Sequence, residues 1–242
     1  MSTEHTVKSY DEELARLNSL IARMGGMVES LLGDAMRAVA ERDSEIAAEV
    51  IAGDAQVDAI EREIDDLALK VLALRQPMAV DLRAVLSALR ISGELERIGD
   101  YATNVAKRAI ALNQVAVVRP VGSIPRMGRV AMEMIKDVLD AYVNADVEKA
   151  VAVWNRDEEL DEMYSSLFRV LLTYMMEDVR NITASTHLLF IAKNIERIGD
   201  HATNIAETIH FLVKGVDLRE ERPKHDETSF TVVRPAGVHP RA

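Results

Sequence analysis

The chain has 242 residues, 48% of them hydrophobic, and a formal net charge of −11 at pH 7. That length and apolar share support a globular core, while the acidic balance and the lack of a basic stripe exclude nucleic acid as a partner. No cysteine is present, so disulfides, thiolate metal sites and cysteine nucleophiles are excluded together, and any metal must be held by oxygen or imidazole.

Aromatic residues make up only 4% and prolines number six, a composition that predicts an all-α protein with almost no strand. From about Tyr10 to Arg42, the residues Leu14, Leu17, Ile21, Met24, Val28, Leu31, Ala35 and Val39 recur every three or four positions, the stripe of an amphipathic helix. Gly25-Gly26 interrupts it at a cost of about 1 kcal/mol per glycine relative to alanine. Close packing against a neighbouring helix is the expected compensation. Asp43-Ser44 offers a boundary and an N-cap, and a second helix follows to about Arg75 with Val50, Val57, Ile60, Ile64, Leu67 and Val71 inward. Gln76-Pro77 ends it, because the residue before proline disfavours the helical region.

A third helix is predicted from about Val80 to Asn113. The stretch from Val115 to Pro125 holds two prolines and a glycine and reads as a linker. Three more helices follow, around Arg126 to Ala145, Asp146 to Met176 and Asn181 to Lys214. Beyond Gly215 the helical period is lost, and residues 216–242 are expected to form a mobile tail. The start of the chain lacks a basic segment followed by an apolar one, and no run of about 18 apolar residues occurs, so a soluble cytoplasmic protein is expected.

A nine-residue phrase occurs twice. Glu96-Arg97-Ile98-Gly99-Asp100-Tyr101-Ala102-Thr103-Asn104 returns as Glu196-Arg197-Ile198-Gly199-Asp200-His201-Ala202-Thr203-Asn204, and only the sixth position differs. Gly25, Asp43, Asp54 and Asp58 recur as Gly128, Asp146, Asp157 and Asp161, 103 positions on, whereas the phrase recurs after 100. A three-residue deletion near the turn between the second and third helices of the second copy reconciles the offsets. The chain therefore reads as two tandem three-helix bundles related by internal pseudo-two-fold symmetry, residues 1–114 and 126–215, with helices about 45 Å long.

Within each phrase, Glu96, Asp100 and Asn104, and likewise Glu196, Asp200 and Asn204, fall four residues apart and share one helix face, where each Asn adds a carbonyl oxygen as a candidate metal ligand beside the acids. Acids at that spacing repel by a few tenths of a kcal/mol, so a pair kept twice predicts a cation that answers it. Asp54 with Asp58, and Asp157 with Asp161, repeat the spacing on the preceding helix. Antiparallel neighbours bring the two pairs face to face, giving four carboxylates per half, a donor set suited to hard cations. A merely solvated acidic face is the competing reading.

Arg97 and Arg197 point about 100° away from the acids and are expected to form ion pairs with an adjacent helix. Gly99 and Gly199 predict close approach of another backbone, and Thr103 and Thr203 predict bonds back to their own helix carbonyls. His201 replaces Tyr101 and so is not a ligand that both sites require. Glu207-Thr208-Ile209-His210 has the ExxH spacing of di-iron bundles, but the equivalent residues are Lys107 and Ile110, which removes the second motif such a site needs. No Gly-rich phosphate loop, GxSxG elbow or HExxH motif occurs.

In the stretches LERIGDYATNVAKRA, IERIGDHATNIAE, RMGGMVESLL and LALRQPMAVDLRAVLSALRIS, the chain resembles the PhoU family from about Tyr10 to Lys214. The resemblance implies two three-helix bundles and multinuclear iron, zinc or other divalent metal clusters held at Glu96, Asp100, Glu196, Asp200, Asp54, Asp58, Asp157 and Asp161. It implies a cytoplasmic negative regulator, without a catalytic reaction, that damps signalling from the Pst phosphate transporter to the PhoR histidine kinase. A homodimer, peripheral to the membrane through its partners, fits that role. A carboxylate-bridged metalloenzyme and a plain scaffold are the alternatives.

Overall fold

The computed structural model describes residues 2–116, 118, 122–218 and 228, with side chains from Tyr10 onward. Helices α1 (Ser2–Glu41), α2 (Ser44–Arg75) and α3 (Val80–Leu112) form the first half, and α4 (Ile124–Asn144), α5 (Val147–Glu177) and α6 (Ile182–Lys214) the second. No strand occurs among the described residues. The fold is two tandem three-helix bundles related by pseudo-two-fold symmetry.

Capping explains two of the boundaries. The Asp43 carboxylate accepts the backbone N–H groups of Glu45 and Ile46 at 2.8 and 3.1 Å, and Asp146 accepts that of Lys149 at 3.0 Å. Each acid satisfies donors that the first helical turn leaves open. At the far end of α2, Gln76 turns left-handed with φ 49° before Pro77, and Ala79 also has φ 49°.

Other boundaries differ from expectation for physical reasons. Helix α4 begins at Ile124, ahead of the expected Arg126, with Pro125 in its first turn. A proline there loses no helical hydrogen bond and presets the backbone angle, so it starts the helix where it was read as the end of a linker. Asp146 caps α5 from outside, and Asn181 closes a short 3-10 turn, Val179–Asn181, before α6. Helix α1 starts at Ser2 and runs 40 residues, while α4 has 21, so the uniform length expected is not kept. Most of the expected tail lies outside the described residues.

Helices α3 and α6 pack on each other as well as within their own bundles, and they run antiparallel: Arg90 meets Phe211, Tyr101 meets His201, and Arg108 meets Phe190. The buried positions follow the repeat. Ile64 and Leu167 keep the offset of 103, and Val85 and Ser185 already have 100, so the three-residue deletion is absorbed between those points. No helix among the described residues is long and apolar enough to cross a membrane.

The symmetry is visible in two reciprocal contacts between α1 and α4. An ideal Cβ at Gly25 would lie 2.4 Å from Leu139 Cδ2, and one at Gly128 would lie 2.6 Å from Met36 Sδ; Met36 and Leu139 are themselves 103 positions apart. Gly26, in contrast, has nothing within 4 Å. Only the first glycine of the pair is therefore explained by packing. Gly128→Ala gains about 1 kcal/mol of helix propensity but overpacks a buried methionine, a cost of about 1–3 kcal/mol, so a net loss of about 1 kcal/mol is expected in denaturant unfolding. Gly26→Ala meets no neighbour and is expected to stabilise by about 0.5–1 kcal/mol.

Candidate metal centre

The first half brings its acids together between α2 and α3. Burial raises the Asp54 carboxyl, and the charges of Asp100 and Asp58 raise it further, against relief from Thr103 and Lys107. Glu96 is raised by burial first and then by Asp100, with Arg97 opposing and Glu61 and Asp58 adding to the effect. Acids from the two helices thus feel one another, as the spacing of the motifs predicts. Glu61 is a fifth acid that sequence reasoning missed. Burial, Asp65 and Asp58 raise it, and Arg97 lowers it. It lies three residues after Asp58 on the same face, but its counterpart in the second half is Tyr164, so a search restricted to repeated acids passes over it.

The second half buries its acids more deeply. Asp157 and Asp161 are 2% and 3% exposed, and the Glu196 side chain is 5% exposed where that of Glu96 is 23%. Burial pushes the Glu196 carboxyl up to about 7, Lys193 opposes, and Asp200 and Asp161 add to the rise. Lys193 Nζ donates to Glu196 Oε1 at 2.8 Å and sits 4.8 Å from the centroid of the Tyr164 ring. The other oxygen, Glu196 Oε2, is buried without a hydrogen-bond partner. The two centres therefore differ: five acids with access to water in the first, and four acids with a lysine and a tyrosine in the second.

The glycines of the repeated phrase make room for these acids. A Cβ at Gly199 would lie 3.3 Å from Asp157 Oδ1 and 2.5 Å from Leu160 Cδ2, and one at Gly99 would lie 3.7 Å from Asp54 Oδ1 and 3.5 Å from Val57. The close neighbour is thus a side chain of the preceding helix, and not a backbone as expected.

The remaining phrase residues take different places in the two halves. Asn104 is exposed. Asn204 Nδ2 donates to Glu94 Oε2 at 3.0 Å, and His201 Nδ1 lies 2.5 Å from the same oxygen, so these two groups tie α6 to α3. Arg97 pairs with Glu96 and Asp100 on its own helix, at 3.6 and 3.7 Å, where an acid on an adjacent helix was expected. Arg197 does reach an adjacent helix, but its partner is aromatic: Nη1 donates to Tyr101 Oη at 3.1 Å. Thr203 bonds back to the Asp200 carbonyl at 2.7 Å, whereas the buried Thr103 Oγ1 does not make the bond expected of it. The ExxH residues also have structural partners, since Glu207 accepts from Trp154 Nε1 at 2.9 Å and His210 Nδ1 lies 3.0 Å from the Val216 carbonyl.

Among the described residues, no three acidic or imidazole side chains converge into a ready metal-holding set. The donor chemistry nevertheless fits a hard cation, because every candidate atom is an oxygen, Asp54, Glu96 and Glu196 are raised by burial first and by neighbouring acids after it, and Glu196 Oε2 is orphaned. Carboxylates without a cation between them repel and rest apart.

An all-helical, internally duplicated body with a carboxylate cluster in each half defines a class of two-bundle helical scaffolds. Residues 21–109 and 124–209 each match the family described as PhoU domain, and the chain belongs to the PhoU family. It is 54% identical over 231 residues to a Caulobacter vibrioides protein named phosphate-specific transport system accessory protein PhoU homolog, covering 94% of this chain and 99% of that one. A Rhizobium meliloti protein of the same name is 48% identical over 95% of this chain and 97% of its own length. The crystal structure of PhoU from Pseudomonas aeruginosa superposes with a TM-score of 0.84 at 38% identity, over 86% of this chain and all of that one. The phosphate transport system regulatory protein PhoU from Streptococcus pneumoniae gives 0.79 at 30% identity, with the same coverage. These relatives are named for accessory and regulatory roles, not as enzymes.

Proposed function

We propose that the protein is a cytoplasmic negative regulator of the bacterial phosphate response. It acts as a homodimer, held at the membrane by its partners, and links the ATPase of a Pst-type phosphate transporter to a PhoR-type histidine kinase. The observation that carries this reading is a PhoU-type fold over both halves, together with relatives named as accessory proteins of phosphate transport. The deletion strain tests it: phosphate-regulated alkaline phosphatase is expected to become constitutive at high phosphate, and unchanged repression would sink the proposal.

In this reading each carboxylate cluster holds a divalent metal or an iron or zinc cluster, through Asp54, Asp58, Glu96 and Asp100 in one half and Asp157, Asp161, Glu196 and Asp200 in the other. A bound cation supplies the positive charge that offsets the repulsion among these acids. The residues then fasten α2 to α3 and α5 to α6, which sets the shape of the faces offered to partners. Asn104, exposed on the same helix face, and Asn204, whose Nδ2 donates to Glu94, each keep a carbonyl oxygen that can complete the set. The metalloenzyme alternative gains nothing from Glu207 and His210, whose partners are Trp154 and a backbone carbonyl.

A further inference from the structure

The two carboxylate clusters differ at two positions that change their charge. Glu61 and Gly93 of the first half stand where the second half has Tyr164 and Lys193. The exchange removes one negative charge and adds one positive charge. An ideal Cβ at Gly93 has no atom within 4 Å, so in the first half this point of the helix faces open space, whereas in the second half a lysine side chain starts from it.

The Lys193 ammonium is held from two helices. It donates to Glu196 Oε1 on its own helix at 2.8 Å, and it stands 4.8 Å from the centroid of the Tyr164 ring on α5, which in turn meets Phe168 at 6.2 Å. It therefore bridges the same two helices that supply the acids. An ion pair three residues apart on one helix is ordinarily a surface contact with both partners in water. Here the lysine side chain is 31% exposed and the glutamate only 5%, so the lysine lies on the solvent side of the carboxylate and covers it. Glu196 Oε2 is buried without a hydrogen-bond partner, and Asp157 and Asp161 are buried with it. Carboxylates taken out of water need a positive charge beside them, and Lys193 supplies one.

The first half has no such cover. Its nearest cation, Arg97, stands 3.6 Å from Glu96 and 3.7 Å from Asp100, and its side chain is 60% exposed while that of Glu96 is 23% exposed. Both distances are longer than a hydrogen bond, and an exposed pair of that kind contributes little. The acids of the first half are open to an ion from solution.

We propose that Lys193, seated between Glu196 and Tyr164, is the resident cation of the second cluster, and that it makes the halves unequal: a divalent cation enters the first half unopposed and the second only by displacing the ammonium. The inequality rests on the metal reading above; the resident cation does not. One chain then carries a tight and a weak site, which fill over two separate ranges of metal concentration.

The test titrates manganese(II) into the chelator-treated full-length protein and reads the free ion by electron paramagnetic resonance. Asp100→Asn leaves the second cluster intact and Asp200→Asn the first, so each half is read alone. The second half is expected to bind about tenfold or more weakly, the order of one charge-assisted hydrogen bond displaced. Lys193→Met keeps the stem without the charge and is expected to recover that factor in the Asp100→Asn protein. Gly93→Lys is expected to weaken binding in the Asp200→Asn protein. Thermal unfolding at pH 8 without metal gives an independent readout: Lys193→Met should lower the midpoint by about 2–4 °C in the parent and by less beside Glu196→Gln, because the two residues are coupled. Trp154 fluorescence reports that each variant is folded, as this is the single tryptophan and is 2% exposed. Equal affinities in the two halves, or Lys193→Met binding manganese like its background, would overturn the inequality; an unchanged midpoint would overturn the resident cation. No uptake of manganese by either half beside the expected midpoint shift would remove the metal reading and leave Lys193 as the resident cation, and equal uptake beside an unchanged midpoint would do the reverse.

Discussion

Glu196→Gln is expected to stabilise the metal-free protein at pH 8 by about 2 kcal/mol, raising the unfolding midpoint by roughly 4–8 °C in a chain of this size. Its carboxyl is raised from 4.5 to about 7 by burial, Asp200 and Asp161, although Lys193 opposes the rise. A folded value above the unfolded one means that folding disfavours the charged form. Stability is therefore lost as the pH climbs from 4.5 through 7, and the loss is complete above that. At about 1.36 kcal/mol per pKa unit the cost is roughly 3 kcal/mol, and losing the 2.8 Å pair with Lys193 takes back about 1 kcal/mol. Divalent metal should stabilise the parent at pH 8 more than the variant, which keeps only the cluster of the first half intact. Calorimetry at pH 5 and pH 8, with and without metal, checks each sign. A variant less stable than the parent at pH 8 would show that Glu196 is already satisfied without a cation.

Glu94→Ala is expected to act in the opposite direction, destabilising by about 2–3 kcal/mol at pH 7. Glu94 Oε2 accepts from Asn204 at 3.0 Å and lies 2.5 Å from His201 Nδ1. Truncation leaves both donors without their acceptor between α3 and α6, and an unsatisfied buried group costs about 1–3 kcal/mol. Burial alone would raise the Glu94 carboxyl, but the bonds from His201 and Asn204 overcome it and hold it below its ordinary value. Stability from this group is therefore present above the unfolded value near 4.5 and lost as the pH falls through the folded one. Denaturant unfolding at pH 7 and pH 4 should show a smaller difference between parent and variant in acid. Metal content should be unchanged, because Glu94 belongs to the seam between bundles. Two glutamates on one scaffold thus carry opposite signs, set by whether donors or other acids surround them.

Periodicity and repetition made most of the fold readable. Apolar residues at three- and four-residue spacing mark every helix, and Asp43 and Asp146 mark two starts, because capping is local chemistry. Pro125 reads as the end of a linker yet opens α4, since proline breaks a helix interior but suits its first turn, and only the three-dimensional course of the chain decides which applies. In the site, pairing across helices α2–α3 and α5–α6 followed from an antiparallel bundle. What escaped was whatever breaks the symmetry. Glu61 opposite Tyr164, Glu94 opposite Asn194, and Lys193 opposite Gly93 have no repeated partner, so a reading built on repetition gives them no weight. Arg97 and Arg197 show the same limit: identical neighbours in sequence, but an acid partner in one half and Tyr101 in the other. Side-chain partners between bundles depend on how the bundles dock, which no local pattern encodes.

The most direct test of the carboxylate clusters as the regulatory centre is a paired measurement on Asp100→Asn with Asp200→Asn. Metal is quantified in protein purified without chelator, and alkaline phosphatase repression is measured in a deletion strain carrying the same variant. Loss of metal together with constitutive phosphatase at high phosphate is the predicted result. Loss of metal with repression intact would contradict it.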